Sequence, residues 1–433
     1  MSPTTVGLIG LGLLIIVLFS RMPVGFVMAV VGFTGFTYLV SFDAGIRLLA
    51  QDFFATFSSY NLSVVPLFIF MGQIAFHAGI NRRLYDATYK FLGHFPGGLA
   101  MATIGACAGF SAICGSTNAT AATMATIALP EMRRHNYSPE LATGVVAAGG
   151  SLGILIPPSV IFIIYGIMTE QSIGKLFAAG ILPGLLLAIL FIATIYIQVR
   201  INPALGPVGP RTTIREKVRS LSGIIEMILI FALVMGGLFM GFFTPTEAGA
   251  AGAFITLMLA IVRGRIGWKQ FWTAVLESVQ TACMIMVIVA GATILGHFLA
   301  VTRIPYILAT WVAGLPFPAW AVMGVIVLIY LLGGCFMDAL GMILLTIPIF
   351  YPVAIELGYD PIWFGVVIVL ITEMGVITPP VGINVYVVSG VAKDIPLETI
   401  FKGIFPLLVA LIVCNIILII FPQIALFLPN LMR

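Results

Sequence analysis

The chain has 433 residues, 61% of them hydrophobic and 8% charged, with a formal net charge of +4 at pH 7. So few charges cannot cover a soluble body of this size, so the solvent around it is lipid, and a positive excess this small and scattered argues against nucleic acid as a partner. Cys107, Cys114, Cys283, Cys335 and Cys414 stand inside apolar runs without paired spacing or a His cluster, which reads as small buried hydrophobes and not as disulfides or a zinc site.

The first apolar run, near 3–20, has no basic start and no A-x-A site, so it reads as a membrane helix and not as a removed signal peptide. Further crossings are expected near 22–40, 62–80, 138–166, 176–199, 220–243, 246–262, 279–301, 360–390 and 400–427, making ten in all. Two other apolar stretches, 97–132 and 319–354, are too long for one span and carry small or polar residues near the middle. Each is expected to be a re-entrant helical hairpin. RLYDATYKFLGHF (83–95) is amphipathic and suits an interfacial helix, with a counterpart near 304–316.

The two halves match at a constant spacing. Pro96 answers to Pro318, Pro130 to Pro352, Tyr137 and Pro139 to Tyr359 and Pro361, and Gly153 with Pro157-Pro158 to Gly375 with Pro379-Pro380, each 222 positions on. Helix-breaking residues at matched places in an apolar chain point to a secondary transporter. Residues 1–205 and 220–433 form the two repeats, joined by a Pro-, Gly- and Arg-rich cytoplasmic linker at 206–219. Arg82, Arg83, Lys90, Arg133, Arg134, Arg200, Arg211, Arg215, Lys217, Arg219, Arg263, Arg265 and Lys269 all fall on one face under the ten-crossing scheme, which the positive-inside rule makes cytoplasmic. Lys175 and Arg303 fall opposite, and both termini lie outside the cytoplasm. The loop MRRHNYSP has two arginines where its partner AIELGYDP has two acids and no base, so the repeats are expected to be inverted.

A Pro-Pro pair in mid-span removes amide donors and frees carbonyls. It occurs twice, at GILIPPS (153–159) and GVITPPVGIN (375–384), either as a packed kink or as a binding site, and the matched recurrence favours a site. The first hairpin turns at CGSTNAT, with Gly115, Ser116, Thr117 and Asn118. The second turns at GCFMDAL, with Asp338 matching Ser116. Hydroxyl, amide and carbonyl oxygens there suit a small hard cation such as Na+. Tips and breaks hold no basic residue, so an anionic substrate would rest on helix N-termini, on the amides of Asn118 and Asn384, and on the hydroxyls of Ser116, Thr117, Ser159 and Thr378. Asp338 is either a helix cap or a cation ligand. Glu373, matching Ser151, either bonds to the broken helix or couples protons. Glu247 is expected to cap a helix, and His297 to be simply packed.

PLFIFMG (66–72), CGSTNATAATM (114–124), LGILIPPS (152–159), TPTEAG (244–249), GCFMD (334–338) and ITPPVGIN (377–384), in this order, resemble the large membrane subunit of tripartite ATP-independent periplasmic (TRAP) transporters over the full chain. That resemblance implies an all-α integral membrane protein of the inner membrane, with two inverted repeats and an elevator-type mechanism. It implies Na+-coupled import of an organic acid such as a C4-dicarboxylate, sialic acid or a keto acid. The implied partners are a periplasmic binding protein and a small four-helix membrane subunit; two or more Na+ ions and no organic cofactor are expected. On the same basis the Na+ sites pair each tip with a break: Gly115, Ser116, Thr117 and Asn118 with Gly153 and Pro157, and Asp338 and Ala339 with Gly375, Thr378 and Pro379. Substrate would lie between the tips, near Ser116, Asn118, Ser159, Gly382 and Asn384. The alternatives are a stand-alone Na+- or H+-coupled carboxylate symporter and the large subunit of a tripartite tricarboxylate transporter. An enzyme is not expected, because His297 and Glu373 alone make neither a nucleophile–base pair nor a metal cluster.

Overall fold

A computed structural model describes every residue except 21, 211, 315 and 433, so Arg211 of the linker lies outside the described residues. Among the described residues the regular elements are all helices. The chain opens with α1 (Pro3–Leu18), α2 (Val24–Leu39), α3 (Phe42–Ser58) and, after a 3-10 turn at Asn61–Ser63, α4 (Val64–His77). Then α5 (Ile80–Leu92) leads into the first hairpin, α6 (Gly98–Cys114) and α7 (Thr117–Arg134). The first broken helix is α8 (Pro139–Gly150) with α9 (Leu152–Leu155) before the prolines and α10 (Val160–Met168) after them; α11 (Ile173–Ile201) ends the first half. The second half runs α12 (Ile214–Phe239), α13 (Pro245–Val262), α14 (Trp268–Thr302) and α15 (Ile304–Ala313). It continues through a hairpin of α16 (Ala319–Gly334) and α17 (Ala339–Glu356), a broken helix of α18 (Pro361–Val376) and α19 (Ile383–Val391), and finally α20 (Leu397–Ile420) and α21 (Gln423–Leu431).

Polar caps start several of these helices, because the first turn's N–H groups have no partner in lipid. Ser138 accepts from Leu141 N and Asp360 from Trp363 N, three residues on in both repeats. Glu247 caps as expected: Thr244 N donates to its Oε2 at 2.8 Å, and Glu247 N donates to Thr244 Oγ1 at 3.3 Å. That reciprocal pair is a capping box.

Among the described residues six helices are long and apolar enough to cross a bilayer, namely α11, α12, α13, α14, α17 and α20, and the number rises to eight if two bent pairs each count as one span. Five more apolar helices are shorter, among them α1 and α2. That count goes by length and composition alone, and the expected crossings at 138–166 and 360–390 are divided at their prolines, as read. Three boundaries move. A helix, α3, precedes the crossing expected at 62–80 and bends 55° from it; its Asp43, Arg47 and Asp52 hide it in a hydropathy reading. The crossing expected at 279–301 starts at Trp268, and that expected at 400–427 stops at Ile420, with α21 beyond Pro422. His297 is not merely packed, since its Nε2 lies 3.5 Å from Asp52 Oδ1. Four cysteines are buried as expected, but Cys283 is exposed on α14.

α5 is amphipathic as read: Ile80, Leu84, Tyr85 and Ala87 are buried, while Arg82 and Asp86 are exposed. The linker is packed on its end, with Gly209 N donating to Gly93 O at 3.0 Å and the Tyr137 hydroxyl donating to Pro207 O at 3.0 Å. Basic groups collect at one end of the bundle, where Arg263, just past α13, and Arg83 of α5 share one acid. At the other end of α13, Pro245 and Lys175 line a common 700 Å³ cavity, so Lys175 does lie opposite.

The halves are not separate bodies in space. α2 packs on α14, α8 on α20, α7 on α19 and α4 on α13. The α8–α20 crossing is so close that a β-carbon on Gly144 would strike the Gly403 backbone. Such approach lets backbones pack where lipid supplies no hydrophobic drive. The core is continuous across both halves, and the first hairpin, α8 to α10 and α18 supply much of it.

Candidate functional site

The first hairpin turns through Gly115 and Ser116. Gly115 has φ 64° and caps α6 in the left-handed conformation, where an L side chain is strained. A β-carbon there would also come 2.5 Å from the Pro158 carbonyl oxygen. Ser116 then starts α7, its Oγ accepting from Ala119 N at 3.4 Å. In the second hairpin Asp338 starts α17 in the same way, its Oδ2 accepting from Gly341 N at 3.1 Å. Positions matched in sequence thus perform matched capping, and Ala339, the first residue of α17, is buried.

Each tip presses on the break of its own half. A β-carbon on Gly153 would lie 2.5 Å from Ser116 O and 2.8 Å from Thr117 Cα. A β-carbon on Gly375 would lie 2.6 Å from Gly334 C and 2.9 Å from Cys335 N. The second contact therefore falls at Gly334–Cys335, just before Asp338. At the first break Pro157 and Pro158 cannot donate to the carbonyls of Gly153 and Ile154, four residues back. At the second break the same loss affects Gly375 and Val376. There Thr378 N donates to Gly375 O at 3.0 Å and the Thr378 hydroxyl to Met374 O at 2.5 Å, satisfying part of the deficit.

The breaks differ in exposure. Pro157, Pro158 and Ser159 are buried, with Leu155 and Ile156 against Gly180 and Gly184 of α11. Pro379 and Pro380 are exposed. Ser159 caps α10 by accepting from Phe162 N at 3.3 Å, and Gly382 precedes α19 at φ 63°. Both Pro-Pro peptide bonds are cis.

Across the halves runs a buried polar bridge. The Thr117 hydroxyl donates to Glu373 Oε2 at 3.0 Å, and Asn384 Nδ2 donates to Thr117 Oγ1 at 3.1 Å and to Ala147 O at 3.2 Å. Glu373 and Asn384 are both 0% exposed. Glu373 Oε1 and Asn384 Oδ1 have no partner. Glu373 thus bonds to the opposite hairpin and not to its own broken helix, which corrects one of the two expected roles. Asn118 is exposed at the tip and stands apart from this bridge. Asn415 was missed by sequence reading: buried on α20, it donates to Met374 Sδ at 3.4 Å. An amide inside LIVCNIILII was the available signal.

Helix starts of α7, α10, α17 and α19 therefore gather beside two tips and two breaks. Each brings free N–H groups and partial positive charge. Together with hydroxyls, amides and broken-helix carbonyls they form a setting able to take a small anion and hard cations.

Comparison with known proteins assigns the family. A sequence model described as "Tripartite ATP-independent periplasmic transporter, DctM component" matches residues 11–424. The chain belongs to this family. The C4-dicarboxylate TRAP transporter large permease of Pseudomonas aeruginosa is 38% identical over 91% of this chain and 92% of its own. The sialic acid TRAP transporter large permease of Vibrio cholerae is 34% identical over 96% of both. In fold, the YdaH transporter of Alcanivorax borkumensis superposes with a TM-score of 0.63 at 14% identity, covering 90% of this chain and 89% of that one. This TRAP large permease is accordingly a multi-pass protein of the inner membrane, from a family of transport permeases and not of enzymes.

Proposed function

We propose that this TRAP permease drives Na+-coupled import of a small organic anion, a carboxylate of the C4-dicarboxylate, sialic acid or keto acid kind. The anion is handed over by a periplasmic binding protein, and a small four-helix membrane subunit completes the scaffold. Two inverted repeats, 1–205 and 220–433, supply the moving parts, in an elevator-type exchange of the tips and breaks across the bilayer. The observation that carries this reading is the paired tip-on-break contact, Gly153 on Ser116 and Gly375 on Gly334, with the Thr117 bridge between them. Relatives that match nearly end to end are C4-dicarboxylate and sialic acid permeases, which supports the substrate class.

Na+ is cargo here, and two or more ions travel with each anion. Gly115, Ser116, Thr117 and Asn118 with Gly153 and Pro157 hold one. Asp338 and Ala339 with Gly375, Thr378 and Pro379 hold another. Oxygen-only sites of this kind favour hard cations. The anion rests near Ser116, Asn118, Ser159, Gly382 and Asn384, held by helix N-termini and amides without a fixed base.

Two outcomes are expected. Because a ligand of the folded state stabilises it, by about 2.7 kcal/mol at a hundredfold over Kd, the chain melts higher in Na+ than in K+ or choline at equal ionic strength. Ser116→Ala reduces that difference; identical melting of the wild type in all three salts overturns the cation sites. Exposed Asn118 makes no structural bond that Ala would lose, so Asn118→Ala keeps its melting temperature while reconstituted uptake, with binding protein and small subunit present, falls roughly tenfold, the scale of one hydrogen bond to a charged group. Unchanged uptake removes Asn118 from the anion site.

A further inference from the structure

A second charged cluster, away from the tips, is not used by transport as described above. Glu226 lies on α12 with its side chain 8% exposed. Three guanidiniums converge on it. Arg83 Nη1 is 3.0 Å from Oε2, Arg265 Nη1 is 2.7 Å from Oε2, and Arg263 Nε is 3.5 Å from Oε1. One carboxylate thus faces three cations, leaving two positive charges in excess. The next acid on α5, Asp86, answers instead to Arg82 and Lys90. Burial, with the charges of Arg265 and Arg263, holds the Arg83 pKa below its ordinary value despite Glu226. Arg83 Nη2 is buried with no acceptor among the described residues. An anion would answer that excess of charge.

The cluster's depth in the bundle says what kind. α13 is 18 residues long, about 27 Å at 1.5 Å per residue, the thickness of the hydrocarbon core. Arg263 and Arg265 follow directly on its end, so they stand at headgroup level. Amphipathic α5, which supplies Arg83, lies beside them and packs on α12. The Arg263 side chain is 57% exposed and that of Arg265 is 28% exposed. On α12 and α13, Ile225, Ile228, Ile261 and Val262 present exposed apolar surface next to the charges. Trp268 and Trp272, a few residues further on, are also exposed, as in an aromatic belt at a membrane interface. Exposed apolar surface, tryptophans and arginines thus meet at one end of the bundle, the combination that the chains and headgroup of a phospholipid require.

We propose that Arg263 and Arg265, backed by Arg83, form a binding site for the phosphate of an anionic phospholipid, which completes the charge left open by Glu226. Basic pockets between membrane helices take such headgroups, and the attraction grows with each arginine near the surface. Arginine is suited to the task because its planar fork meets phosphate oxygens two at a time. The site secures α5, α12 and the α13 end to the inner leaflet. It is independent of the transport reading, since its test measures lipid and not uptake.

The test is native mass spectrometry and melting of the full-length chain with phosphatidylglycerol, phosphatidylcholine or inorganic phosphate added. Phosphatidylglycerol is expected to bind at least roughly tenfold better than phosphatidylcholine and to raise the melting temperature, with inorganic phosphate giving no shift. Arg263→Gln, at the most exposed of the three, should reduce the preference several-fold while leaving the melting temperature in phosphatidylcholine unchanged. Arg263→Gln with Arg265→Gln should abolish it. Equal binding of the two lipids, or a preference that survives the double variant, overturns the site. A shift produced by inorganic phosphate alone overturns the lipid assignment in favour of a soluble anion.

Discussion

Gly375→Ala stops uptake, whereas Gly324→Ala on the same half's hairpin leaves it at the wild-type level. The two substitutions add the same methyl group. At 324 a β-carbon meets nothing within 4 Å, and alanine in place of glycine inside a helix is worth about 0.5–1 kcal/mol in its favour. At 375 the new carbon would stand 2.6 Å from both Gly334 C and Gly334 Cα, and these are backbone atoms that cannot rotate away. Overpacking of this kind costs about 1–3 kcal/mol, taken up by displacing the tip from the break. Gly334→Ala is expected to be intermediate, because its β-carbon meets Thr372 O at 3.1 Å and Gly375 Cα at 3.2 Å. Gly153→Ala should be as severe as Gly375→Ala, with Ser116 O only 2.5 Å away. Measured as uptake in proteoliposomes, the order is Gly324→Ala, then Gly334→Ala, then the Gly375→Ala and Gly153→Ala pair, with at least a tenfold drop for the last two. Full uptake by Gly375→Ala would mean that tip and break need not touch.

The turns of both hairpins, both breaks and the cap at Asp338 were legible because Gly, Pro and Asp act locally. Their effect on backbone is set within four or five residues, and a repeat doubles the signal. Lipid-facing helices were less legible. α3 has the alternation of a helix that packs on one side, and its Asp52 answers to His297 on α14, a partner 245 positions away (297 less 52). Charge in such a helix hides it from a hydropathy reading. The same limit explains the bridge. Thr117, Glu373 and Asn384 each stood out singly as polar groups in apolar surroundings, yet no rule of local sequence joins positions 117 and 373. Only the packing of α7 against α19 and α9, and of α18 against α9, brings them together. Glu226 remained invisible for the same reason, as one acid in an apolar helix whose three partners lie on α5 and beyond α13.

That bridge yields the second large effect, a separation of stability from transport at Glu373. A carboxylate that is 0% exposed, with one oxygen bonded to Thr117 and the other without a partner, is a poor way to stabilise a membrane core. Glu373→Gln keeps an acceptor for the Thr117 hydroxyl and removes the ionisable group. The melting temperature is therefore expected to hold or rise. Uptake is expected to fall more than tenfold, since an intramembrane acid kept at a cost in stability is retained for what its charge does. Thr117→Val behaves differently. It preserves shape but deletes the hydroxyl, stranding Glu373 Oε2 and one Asn384 donor together, at about 1–3 kcal/mol for each buried group left unpaired. Melting and uptake should then drop in step, while Thr117→Ser, which keeps the hydroxyl, restores most of both. Melting curves and initial uptake rates on the three variants read the difference directly. If Glu373→Gln transports normally, the charge is dispensable and the carboxylate is only a hydrogen-bond acceptor joining the first hairpin to the second broken helix.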